Sequence, residues 1–130
     1  MKKLALLLVT IVMAGCASAP RGPEIDIRDP MYLRSEQYLP LTFAQIQMAL
    51  FKHEAACGAA PELVVDADNS SYAIIRQKLP DAARQDHPIV VQLILLRDMR
   101  VKAQAYSYYA NTDDEIRKIF GAIKTPGVCL

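Results

Sequence analysis

Apolar positions between residues 43 and 57 recur with a helical period. At 100° per residue, Phe43, Ile46, Leu50, His53 and Cys57 fall within an arc of about 80°, so one side of this segment is buried. Its punctuation agrees: Thr42 with Gln45 three residues on makes a capping box, and Leu41 with Ile46 has the spacing of a hydrophobic staple. Gly58 supplies the stop. A second helical stripe, Ile116, Ile119, Phe120 and Ile123, follows Thr112 and Glu115, a second capping box, with Asp113 and Asp114 suited to the positive end of the helix dipole. Pro126 and Gly127 end it.

Between the helices the period changes to that of strands. Residues 62–67 and 72–79 are β-rich runs joined by Asp68, Asn69, Ser70 and Ser71, the composition of a tight hairpin connection. After a looser stretch at residues 80–88, residues 89–96 form a nearly unbroken apolar run, expected as an interior strand. Residues 97–100 turn the chain. Residues 101–109 then alternate, with Val101, Ala103, Ala105 and Ser107 on one side and Lys102, Gln104, Tyr106 and Tyr108 on the other. The small residues leave room for a helix. The order αββββα predicts an α+β two-layer sandwich, a four-stranded antiparallel sheet with both helices on one face, over residues 41–130.

If Asp98 and Met99 form the turn of the second hairpin, Val91 lies opposite Tyr106, Leu93 opposite Gln104 and Leu95 opposite Lys102, away from Ala103 and Ala105. Val91, Leu93, Leu95, Tyr106 and Tyr108 then make an outer face too apolar for water alone. Two readings follow: residues 31–39 cover it as an arm, or it is an interface with a protein partner or a second copy.

The N-terminal region has a different pattern. Lys2 and Lys3 precede ten mostly apolar residues, the layout of an export signal, and ten residues are half of what a permanent membrane span needs. That run ends in Met13, Ala14, Gly15 and Cys16, which resembles the lipobox of bacterial lipoproteins. The resemblance implies a signal peptide at residues 1–15, cleavage before Cys16, a diacylglyceryl group on its sulfur and acylation of the freed amine. Ala17, where inner-membrane lipoproteins often carry aspartate, implies sorting to the outer membrane, on its periplasmic side. Each buried methylene contributes about 0.8 kcal/mol, so several acyl chains anchor stably. The competing expectation is an ordinary signal cut after Ala19, leaving a chain that starts at Pro20. Residues 16–40, with Pro20, Pro23, Pro30 and Pro40, are expected as a tether.

Composition adds exclusions. There are 15 basic and 14 acidic residues, and Lys2 and Lys3 leave with the signal, so no basic field exists to attract nucleic acid. With Cys16 assigned to lipid, Cys57 and Cys129 remain as a pair, expected as a disulfide in an oxidising compartment. Asp66, Asp68 and Ser70 imitate the start of a calcium loop, but Ser71 and Gln77 occupy the positions that need glycine and glutamate, so a turn is expected. His53 and His87 are too far apart in sequence to suggest a metal site; His53 is expected at the core edge bonded to a carbonyl, His87 in solvent. Asp113, Asp114 and Glu115 are explained by their cap position. No motif for catalysis, metal or cofactor binding emerges.

The function expected is therefore a non-enzymatic binding or scaffolding role in the cell envelope. The architecture is loosely similar to helix-grip domains of outer-membrane assembly lipoproteins, which transfers no site. One alternative is a small-molecule or lipid-binding module with a pocket lined by Phe43, Leu50 and Ile94. Another is an inhibitor of an envelope hydrolase that plugs a cleft with residues 80–88.

Overall fold

Thr42 begins the first helix as its sequence demands. In the computed structural model, which describes residues 26–130, its hydroxyl accepts from the Gln45 backbone N–H at 3.3 Å and its own N–H donates to Gln45 Oε1 at 2.8 Å. The signal segment, Cys16 and the first part of the expected tether lie outside the described residues. Helix α1 (Phe43–Cys57) stops where Gly58 takes a left-handed φ of 86°, a conformation that costs glycine nothing. Phe43, Ile46, Ala49 and Leu50 are its buried side.

Five strands, not four, form the sheet: β1 (Leu33–Leu39), β2 (Glu62–Val65), β3 (Tyr72–Gln77), β4 (Ile89–Leu95) and β5 (Val101–Tyr106), antiparallel throughout and in spatial order β1-β5-β4-β3-β2. The extra strand comes from residues expected as tether. β1 has almost no apolar alternation, and of its side chains only Leu39 is buried. It is a strand because its backbone completes the ladder of β5, with a bulge between Leu33 and Ser35. The domain therefore begins well before residue 41. α1 carries the chain from one edge of the sheet to the other, and the strands β2 to β5 return it.

Helix α2 (Asp113–Lys124) buries Ile116, Ile119, Phe120, Ala122 and Ile123. Its expected capping box does not form. Thr112 is fully buried and its hydroxyl donates to the Tyr109 carbonyl at 3.2 Å, so the loop before the helix, not its first turn, claims that side chain. The three acidic residues remain in the first turn.

The β4–β5 pairing departs from expectation by one residue. Val91 lies opposite Ala105, Leu93 opposite Ala103 and Leu95 opposite Val101. Beyond that pair Leu96 N–H donates to the Arg100 carbonyl at 2.8 Å, which leaves a three-residue loop of Arg97, Asp98 and Met99, closed by Met99 N–H to the Leu96 carbonyl at 3.1 Å with Met99 at φ 64°. Three-residue hairpin loops take this form, a tight turn followed by a left-handed residue. A slip of one residue turns every side chain to the other face. Val91 and Leu93 are consequently in the core with α1 and α2, and cannot belong to an outer interaction face.

A disulfide joins Cys57 at the end of α1 to Cys129, with Cα atoms 5.5 Å apart across 72 residues of sequence. Around it, Pro126 O accepts from His53 Nδ1 at 3.0 Å. Leu130 crosses α2 at Gly121, where a Cβ would meet Leu130 Cδ1 at 2.9 Å.

Two stability measurements follow. Closing a loop of this length is worth about 4 kcal/mol in the chain-entropy model, so Cys129→Ser should lower the unfolding free energy by about that amount, and wild type under reductant should match the variant. Met99→Gly, at an exposed position where only the side chain opposes the left-handed backbone, should raise stability by about 1 kcal/mol in denaturant titration.

Candidate functional site

The inner face of the sheet is consumed by the helices, so the outer face decides what the domain can present. Along β5 it carries Lys102, Gln104 and Tyr106; beside them lie Val90, Gln92 and Ile94 of β4, then Tyr72, Ile74 and Arg76 of β3. Of the five residues expected on an interaction face, Val91, Leu93 and Leu95 point the other way, Tyr106 is on this face, and Tyr108 lies beyond its end.

One half of this face is polar. Glu36 of β1 accepts from Gln104 Nε2 at 2.9 Å and pairs with Lys102 Nζ at 3.5 Å, and the Arg100 guanidinium stands 5.4 Å from the Tyr38 ring centre. The other half is apolar and largely covered. Val90 and Tyr106 are each 6% exposed although they point away from both helices. Residues 26–32 are the chain on that side: Ser107 N–H donates to the Tyr32 carbonyl at 3.0 Å, and Arg28 Nη1 donates to the Tyr72 hydroxyl at 3.4 Å. They form a strap from the end of β5 toward β3, held in shape by a single 3-10 turn at Pro30–Tyr32 with Asp29 accepting from Met31 N–H at 3.0 Å. An arm thus covers the outer face, but it is this strap; residues 33–39 are in the sheet itself, as its edge strand β1. The burial of Tyr106 pushes its phenol above the ordinary tyrosine range, because phenolate is disfavoured away from water.

Between strap and sheet runs a groove of about 620 Å³ with Ile74 and Val90 as apolar floor and Asp26, Arg28, Arg76 and His87 as polar groups. Its end abuts an aromatic cluster. His87 stacks on Tyr108 at 4.4 Å between ring centres, Tyr108 meets Tyr109 edge-on at 5.1 Å and Tyr32 at 5.6 Å, and Arg84 lies 5.7 Å over Tyr109. The expectation of a solvated His87 is therefore corrected: it is half-buried in a stack whose other rings arrive from β5's end and the strap. No local pattern around His87 carries that information. Residues 80–88 are pinned to the same cluster, since Asp81 caps the 3-10 turn Ala82–Arg84 and Arg84 reaches the Asn111 carbonyl at 3.4 Å.

The remaining candidates fall elsewhere. Ile94 is on the outer face while Phe43 and Leu50 are in the core, so the three cannot line one pocket. A groove of about 360 Å³ lies on the helix side instead, among His53, Gln77, Lys118, Ala122 and Leu130. Asp66 Oδ1 accepts from the N–H groups of Asp68 and Asn69 at 2.8 and 2.9 Å, the geometry of a side-chain-closed turn. Among the described residues, no three His, Cys, Asp or Glu side chains are grouped to hold a metal ion, and no helix is long and apolar enough to cross a membrane. Comparison with protein-family models, with curated proteins and with solved structures finds no match for this chain.

If the strap is what buries Tyr106, Ile27→Asp should lift it and return that phenol toward the ordinary range. Tyrosinate absorbance should then rise at lower pH than in wild type, and the stability that the neutral phenol contributes, present at neutral pH and lost as pH climbs through the tyrosine range, should shrink. An unchanged titration would show that the sheet alone buries the ring.

Proposed function

We propose that this chain is an outer-membrane lipoprotein, anchored through acyl groups on Cys16, whose domain serves a non-enzymatic binding or scaffolding role on the periplasmic side. The observation that carries the reading is the disulfide between Cys57 and Cys129, which belongs in an oxidising compartment, behind an N-terminal sequence with the layout of a lipoprotein signal. The side chains best suited to chemistry already have structural partners. His53 is bonded to the Pro126 carbonyl, His87 is stacked, and Cys57 and Cys129 are joined to each other. The open groove on the outer face combines donors with an apolar floor, which suits holding a molecule.

Asp26 is ten residue steps from Cys16, so an extended tether reaches at most about 35 Å. Under this proposal the strap, the groove and the tyrosine cluster stay near the lipid leaflet, where tyrosine's apolar ring and polar hydroxyl are both accommodated. A second reading, capture of an amphiphile in the outer-face groove, is favoured by the pairing of Ile74 and Val90 with Arg28 and Arg76.

Intact-mass measurement of protein extracted from membranes tests the anchor. The expected mass is that of residues 16–130 with acyl groups, and Cys16→Ala should move the protein out of the membrane fraction or leave it unprocessed. An unlipidated chain starting at Pro20 would overturn the proposal.

A further inference from the structure

Helix α1 carries two apolar stripes, and the domain uses only one. Opposite the buried side lie Ala44, Met48, Phe51 and Ala55, all exposed; Met48 is 54% and Phe51 56% accessible. At 100° per residue these four fall within an arc of about 60°, nearly diametrically opposed to Ile46, Leu50 and His53. A helix apolar on both sides is ordinarily buried on both sides.

The unused stripe has a palindromic form. Its residues are spaced four, three and four apart, with small side chains at the ends and large ones in the middle. That spacing is the seam of a coiled coil. Reversed about its centre it maps onto itself: in an antiparallel two-fold pair, Met48 faces Phe51 of the second helix and Ala44 faces Ala55. This self-complementarity is what an isologous contact requires. The flanks agree. Gln45 and Lys52 border one side of the stripe, Gln47 and Glu54 the other. The two-fold sets Lys52 against Gln45 and Glu54 against Gln47, so no like charges meet.

Other occupants fit less well. One lysine balanced by one glutamate offers no basic border for an anionic lipid surface. The C-terminal tail is held away by Cys129 on Cys57 and by Leu130 over Gly121. Asp26, the first described residue, lies on the far side of the sheet from α1.

We infer that α1 is a dimerisation helix, and that two copies of this chain pair through Ala44, Met48, Phe51 and Ala55 in antiparallel two-fold register. The contact is small compared with standard interfaces, so the dimer is a weak one. It lies wholly within the domain and does not depend on how the chain is anchored.

Sedimentation of the full-length protein in non-ionic detergent, over a range of concentrations, tests it. Wild type should show reversible dimerisation. Phe51→Ser and, separately, Met48→Ser should each raise the dissociation constant at least about tenfold while leaving the thermal unfolding of the domain unchanged, since both side chains are exposed. Gln47→Lys, placed opposite Glu54, should tighten the dimer roughly twofold to fourfold, Gln47→Glu should weaken it similarly, and Gln47→Glu with Glu54→Lys should recover it. A monomer at all concentrations, a dimer indifferent to both serine variants, or charge variants acting with the opposite signs would overturn the inference.

Discussion

The alignment of β4 with β5 decides which side chains of this domain meet the helices. Two hairpins were open to these strands, one with a two-residue turn and one with a three-residue loop, and they send opposite faces of β4 inward. The loop adopted places Met99 in a left-handed conformation, at a cost of about 1 kcal/mol. Its alternative would bury Gln92 among apolar neighbours, and an amide without a partner costs about 1–3 kcal/mol while displacing Leu93 from the core forfeits about 2 kcal/mol more. The strained turn is the cheaper solution. Val101, Ala103 and Ala105 then line up with Val91, Leu93 and Leu95 beneath the helices.

From this choice the surface follows. With the large aliphatic side chains of β4 turned inward, the outer face is left with Val90, Ile94 and Tyr106 among Gln92, Gln104 and Lys102, a mixed surface that one short strap can cover. The strap in turn brings Tyr32 to Tyr108, and that pairing gives His87 a ring to stack on. The groove therefore sits where the strap, β3 and the start of β4 converge, next to the point at which the chain enters the domain.

The two ends of the chain act on opposite layers. Residues 26–32 close the outer face of the sheet, whereas residues 125–130 lie against α1 and α2, held by Cys129, the Pro126 carbonyl and the contact of Leu130 with Gly121. Among the described residues, the outward stripe of α1 is an apolar surface that neither end covers. For a domain with so few residues, this is the economical place to keep a surface for another molecule, because α1 already spends its other side on the core.

Much of this was legible without a structure. Helix limits, the Thr42 capping box, the Gly58 stop and the turn at Asp66 depend on neighbours within a few residues, and each is written locally. The pairing of Cys57 with Cys129 followed from cysteine count. The inward face of β4 was also written, in Gln92, the single polar residue of its apolar run, and the assumption of a two-residue turn obscured it. Other features were decided only by the tertiary structure. β1 is a strand because β5 offers it unpaired backbone groups, which leaves no apolar alternation in its side chains. Thr112 abandoned its cap because the loop before α2 offered a carbonyl in a buried place. The strap and the His87 stack join residues far apart in sequence, through contacts that no local period encodes.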